Sequence, residues 1–247
     1  MTTTLDTLRR IAAPLAALAV SMALALPRLT GAAEPAPDTA KANTPDFSAA
    51  ERALFMSDQL SALQPPNTLA YQFRKSGSLE PGFADSVNVK LRAQPDGSCC
   101  AASAEFFSGA RRLMMPETEE ARGNPVIMYF LERDVREMQR LTKGQANHFR
   151  KRIRLAIYDG ATLRDVALQF QGKAVAGREI VISPYLADPN RPRFELLANK
   201  QYVFTLSDAV PGGVYAIRTQ VSAADAAAPP LIVEELLIAG ADRKSTP

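Results

Sequence analysis

The chain has 247 residues, a formal charge of +3 at neutral pH, one histidine, two cysteines and no tryptophan. Hydrophobic residues make up 47% of it, enough to bury a sizeable core. So small a charge argues against a nucleic-acid binder, whose affinity comes mainly from phosphate contacts. One histidine and two adjacent cysteines, Cys99 and Cys100, do not supply the four ligands of a structural zinc site.

In chain order, Arg9 and Arg10 precede an uncharged Ala/Leu-rich run from Ile11 to Leu26, interrupted by Pro14 and followed by the small residues Gly31, Ala32 and Ala33. This is the layout of a secretory signal peptide over residues 1–33 and places the mature protein in the periplasm. The run falls short of the ~20 apolar residues of a membrane span, although an uncleaved anchor is the alternative. Cleavage removes three arginines and one aspartate, which leaves the chain at a formal +1. Residues 34–46, rich in Ala and Pro, read as a disordered lead-in. A single β-rich domain is expected over 47–240, with a frayed tail at 241–247.

Ser48 and Glu51 form a capping-box pattern, and Ala49, Ala53, Met56, Leu60 and Leu63 repeat at helical spacing. A first amphipathic helix is therefore expected over 49–63, ended by Pro65 and Pro66. Strict alternation then predicts strands around Leu69–Phe73, Val87–Leu91 and Ala102–Phe106, the last two joined at Asp96-Gly97. A long helix follows, with Asn124 as cap, Pro125 in the first turn and Gly144 as the left-handed terminator. Ile127, Leu131, Val135, Met138 and Leu141 form its apolar stripe. Glu132, Arg133, Arg136, Glu137 and Arg140 form a charged face, expected to be solvated or to meet a partner.

After Gly144, Phe149, Lys151, Ile153, Leu155 and Ile157 alternate with Arg150, Arg152 and Arg154, which predicts another strand. Its three arginines would stand on one face, about 6.6 Å apart, as a basic ladder for phosphate or carboxylate groups. Further strands are expected around 166–170, 174–184, 202–206, 215–221 and 231–238. The fold class is α+β and mostly antiparallel: a curved sheet of about nine strands wrapped on one long helix.

The chemistry-bearing motifs are sparse. No nucleophile elbow, zincin helix, P-loop or dinucleotide fingerprint is present. His148 lacks a sequence-evident partner, and Glu234 and Glu235, adjacent on a strand, point to opposite faces. Neighbouring Cys99 and Cys100 cannot staple distant segments, so no structural disulfide is expected, and Cys100 reads as a small hydrophobe facing the sheet. No catalytic residue, metal or cofactor is assigned.

The layout from Ala49 to Ile238, an amphipathic helix, antiparallel strands, an inserted helix and strands again, resembles the periplasmic lipoprotein-carrier half-barrels. The resemblance implies a sheet covered by helices that hold acyl chains between them. The segments Phe106-Phe107-Ser108-Gly109 and Arg152-Ile153-Arg154-Leu155 are also similar to uncharacterised exported proteins of Gram-negative bacteria, which implies no activity. The expected function is a non-enzymatic carrier of a lipid or lipid-modified ligand, with Arg150, Arg152 and Arg154 at the head group. The alternatives are an envelope assembly factor that docks a protein partner through Arg133 and Arg136, and an unrecognised hydrolase.

Overall fold

The computed structural model describes residues 46–97, 99–225 and 227–242. The expected signal peptide, the expected lead-in up to residue 45 and the expected tail beyond 242 lie outside the described residues. Eight strands form one open antiparallel sheet: β1 (Asn67–Ser76), β2 (Phe83–Ala93), β3 (Cys99–Phe106), β4 (Thr162–Phe170), β5 (Lys173–Ile182), β6 (Gln201–Leu206), β7 (Val214–Val221) and β8 (Ile232–Ile238). Their spatial order is β3-β2-β1-β8-β7-β6-β5-β4. The first and last strands pair, with Phe73 opposite Leu236, so two meanders are sewn together inside the sheet. The edges are β3 and β4, and the chain between them carries the helices α2 (Val126–Thr142) and α3 (Ala146–Asp159).

Period-two patterning gives the sheet one buried face. Leu69, Tyr71 and Phe73 of β1, Val87, Val89 and Leu91 of β2, Tyr202 and Phe204 of β6, and Ile232, Leu236 and Ile238 of β8 are buried. Each large apolar side chain so placed contributes about 1.5–3 kcal/mol. The β4–β5 hairpin turns at Gln171 and Gly172, both at positive φ, as a tight two-residue connection demands.

The segment expected as a strand with Arg150, Arg152 and Arg154 is helix α3. Its buried residues Phe149, Ile153 and Ile157 recur every four positions, while Lys151 and Leu155 are exposed. Alternation fitted only because Lys151 was counted with the apolar face; the four-residue period governs. The sheet therefore has eight strands, and two long helices stand where one was expected.

The first helix is also shorter than 49–63. The Ser48–Glu51 capping box forms, and α1 (Ala49–Glu51) continues as a π-helical turn, Arg52–Met56. It stops there, and the Ser57 hydroxyl turns back to donate to the Arg52 carbonyl at 3.0 Å. Ala50 and Leu54 are the buried positions, whereas Met56 is exposed.

At the start of α2, Asn124 Oδ1 accepts the Val126 N–H at 3.1 Å, while its amide donates to Tyr71 Oη at 2.7 Å and to the Gly212 carbonyl at 2.8 Å. At the other end Lys143, not Gly144, adopts the left-handed conformation. Gly144 is needed for closeness instead: a Cβ there would lie 2.7 Å from the Phe149 ring. Cys99 and Cys100 form a vicinal disulfide at the head of β3, against the expectation of none. Adjacency rules out a long staple but not this small local ring.

Candidate functional site

The space between α2 and the sheet carries charge at its centre. Asp134, one turn from both Phe130 and Met138, is fully buried on the sheet side of α2. Lys200, just before β6, donates to Asp134 Oδ1 at 2.5 Å, and the Tyr202 hydroxyl donates to Oδ2 at 2.5 Å. Tyr202 also meets the hydroxyl of buried Tyr185 at 3.1 Å. Glu234 of β8 is buried beside them, paired with Arg133 of α2 at 2.6 Å and touched by the Thr219 hydroxyl at 3.3 Å. Lys75 of β1 donates to Glu137 and Glu80 at 2.7 Å each, and Arg140 closes the outer end on the same two carboxylates.

Burial pushes the Asp134 carboxyl above the usual carboxylate range against the pull of Lys200. Burial also acts upward on Glu234, yet Arg133 and Lys200 together hold it below that range. Glu137 is likewise held well down: desolvation is outweighed by the hydrogen bonds from Arg140 and Lys75. Charges so desolvated persist only when paired and hydrogen-bonded. The network lies between α2 and the sheet.

The apolar recess lies on the other side of α2. A groove of about 660 Å³ runs between α2 and α3 and is closed at one end by the π-helical turn. Leu131, Val135, Ile153 and Ile157 form its floor, while Phe55, Met128 and Leu155 stand exposed on its walls. Isolated exposed apolar residues need no explanation, but three on one groove do. Lys151 and Arg154 line the same groove and make no ion pair among the described residues.

The expected basic ladder is dispersed by the helix. Arg150 is exposed and grips Glu132 with two bonds of 2.8 and 3.0 Å, tying α3 to α2. Arg152, about 200° further round the helix, donates to the Pro184 carbonyl at 3.1 Å and lies 3.4 Å from Asp188. Arg150 and Arg154 share the groove; Arg152 does not. The Arg133 and Arg136 pair is also separated. Arg133 turns inward, over the Phe73 ring, and Arg136 stays exposed with a 3.3 Å bond to Glu132.

His148 Nε2 lies 2.7 Å from Oδ2 of buried Asp188, in a pocket of about 300 Å³ with Lys143 and Arg193. Thr142, which also lines that pocket, donates to Met138 O at 2.7 Å within its own helix and accepts the Gly144 N–H at 3.0 Å. Among the described residues no group of three or more His, Cys, Asp and Glu side chains is placed to hold a metal ion. None of the described helices is long and apolar enough to cross a membrane.

Asp134, Lys200 and Lys75 were not singled out from sequence, and Glu234 was considered only as half of the Glu234–Glu235 pair. The available signal was charge on an apolar period: Asp134 between Phe130 and Met138, and Glu234 between Ile232 and Leu236.

No protein-family model matches the chain, and no curated protein matches it. Among solved structures, lipoprotein LppX of Mycobacterium tuberculosis is similar at a TM-score of 0.33 and 8% sequence identity, over 80% of this chain and 96% of that chain.

Proposed function

We propose that the protein is a non-enzymatic periplasmic binding protein. It holds the apolar chain of a lipid or lipid-modified ligand in the α2–α3 groove, with Lys151 and Arg154 at an anionic head. The observation that carries this reading is the groove itself: an apolar floor, three exposed apolar walls and two cations that make no ion pair among the described residues. Its volume falls within the roughly 300–1,000 Å³ of small-molecule sites. The charged filling between α2 and the sheet favours this outer groove over the interlayer space.

The test is native mass spectrometry of the exported chain purified without detergent, before and after organic extraction. A bound mass in the wild type, removed by extraction and absent from a Met128→Glu/Leu155→Glu variant, is the expected result. A bare wild-type mass, or a bound mass indifferent to both substitutions, would overturn it. A protein-docking role for the charged face of α2 retains less support, because Arg133 is committed to Glu234 and only Arg136 of that pair is exposed.

A further inference from the structure

Across α2 from the groove lies a second recess with the opposite character. It measures about 460 Å³ and sits between α2 and the turn that follows β3. Phe83, Phe107 and Leu113 supply its apolar surface, while Lys75, Arg111, Arg133, Arg136 and Arg140 line it against a single lining carboxylate, Glu137.

Not all of those cations are available. Lys75 and Arg140 are bonded to Glu80 and Glu137, and Arg133 is paired with Glu234. Arg111 and Arg136 remain. The Arg111 guanidinium carbon sits over the Phe83 ring, 4.7 Å from its centre, and the nearby acid Asp85 is hydrogen-bonded by Ser86 and Ser108 and attracts Arg111 only through space. Arg136 has one 3.3 Å bond to Glu132, whose two oxygens are held more closely by Arg150. The recess therefore presents two guanidinium groups whose hydrogen-bonding capacity is largely unspent.

The aromatic wall is built at a cost. Phe107 is a bulky residue at φ +66, a conformation rarely adopted outside glycine and asparagine. That backbone places consecutive rings Phe106 and Phe107 together, centroids 4.8 Å apart, and sets Phe107 against Phe73 at 4.7 Å and Phe83 at 5.5 Å. Apolar lining residues and two exposed guanidinium groups at one recess together fit a ligand with an apolar body and an oxyanion head.

We infer that the recess between α2 and the turn after β3 is a second ligand site, which takes a small oxyanion with its apolar body against the surface of Phe83, Phe107 and Leu113 and its head on Arg111 and Arg136. The site stands independently of the α2–α3 groove. Phosphate and carboxylate heads share the required chemistry, so the test uses phenyl phosphate and benzoate, with benzyl alcohol as the neutral control. Calorimetry at low and moderate salt is expected to detect salt-sensitive binding of one or both anions and none of benzyl alcohol. Arg111→Ala and Arg136→Ala are each expected to weaken binding about tenfold, the loss of one charged hydrogen bond. Lys173→Ala, at the exposed β4–β5 turn and outside both recesses, is expected to leave it unchanged. Both tested arginines are exposed, and circular dichroism of each variant checks that the fold is intact. Preference between the two anions identifies the head group. Absence of binding, equal binding of benzyl alcohol, or affinity unaltered in the Arg111 and Arg136 variants would each overturn the assignment.

Discussion

Replacing Lys200 by Met is expected to destabilise the protein by about 4 kcal/mol, because it leaves Asp134 buried without its cation; breaking a buried pair on one side typically costs about 3–5 kcal/mol. Lys200 is 1% exposed, so water cannot take its place, and the Tyr202 hydroxyl alone must then satisfy the carboxylate. With a urea dependence of about 2 kcal/mol per molar, the unfolding midpoint falls by about 2 M. The sign of the pH effect is also set. Asp134 already has a raised folded pKa, and removal of Lys200 raises it further. The protonated form then stabilises the variant at low pH, and that stability is lost as pH rises through the folded pKa. A Lys200→Met/Asp134→Asn double variant removes the orphaned charge and is expected to recover much of the loss. Urea unfolding of the wild type, Lys200→Met, Asp134→Asn and the double variant, followed by far-UV circular dichroism, gives the coupling. A Lys200→Met variant within 1 kcal/mol of the wild type (about that order being the effect of an exposed pair), or a double variant no more stable than the single, would refute the reasoning.

Asn124→Ala removes the bonds to Tyr71 Oη, the Gly212 carbonyl and the Val126 N–H; Tyr71 Oη is then buried without its partner, while the Gly212 carbonyl keeps the Val214 N–H at 2.9 Å. The expected loss is about 3 kcal/mol, read as a shift in urea midpoint. Gly212→Ala places a methyl 2.5 Å from Leu69 Cδ1 at φ +71, whereas Gly97→Ala meets open space at φ +81. Thermal unfolding is therefore expected to show a loss of about 3 kcal/mol at Gly212 and about 1 kcal/mol at Gly97. Acid is expected to unfold the protein through Glu137 and Glu234, whose folded pKa values are depressed. Their stabilisation is present above the unfolded value of about 4.3 and is lost as pH falls below it; Asp134 acts in the opposite sense. Urea midpoints from pH 7 down to pH 3 check this, and Glu137→Gln is expected to flatten the acid limb.

Antiparallel strands with one apolar face were legible because period two survives a single chain pass: Leu69, Tyr71 and Phe73 in β1 gave both the element and its buried side. The stripe of α2 was legible for the same reason at period 3.6. Helix α3 was not, because its sequence satisfies two periods at once. Arg150, Arg152 and Arg154 alternate, yet Phe149, Ile153 and Ile157 recur every four, and only packing against Leu131 and Val135 decides between them. The groove was illegible for a related reason: it needs two helices side by side. The buried network has a different cause. Arg133 and Glu137 form an ordinary surface-type pair along a helix, and nothing local in sequence says that Glu234 and Lys200 will lie opposite them. That information belongs to the pairing of the chain's first and last strands.

The two sides of α2 are held by unlike forces, and this predicts which side yields. Toward the sheet, α2 is fixed by directional, buried pairs: Asp134 with Lys200, and Arg133 with Glu234. A shift of one residue along the helix would orphan both carboxylates. Toward α3, the contact is apolar and non-directional, supplemented by the exposed Arg150–Glu132 pair, which is worth only about 0.2–1 kcal/mol. A ligand entering the groove competes with the second set of contacts and leaves the first intact. Hydrogen exchange is therefore expected to show α3 amides opening at lower free energy than those of α2, which should exchange together with β1 and β8. Lys200→Met is expected to remove that difference by loosening α2. If α2 exchanges as fast as α3 in the wild type, the buried charges do not anchor the helix, and the groove cannot be the side that opens alone.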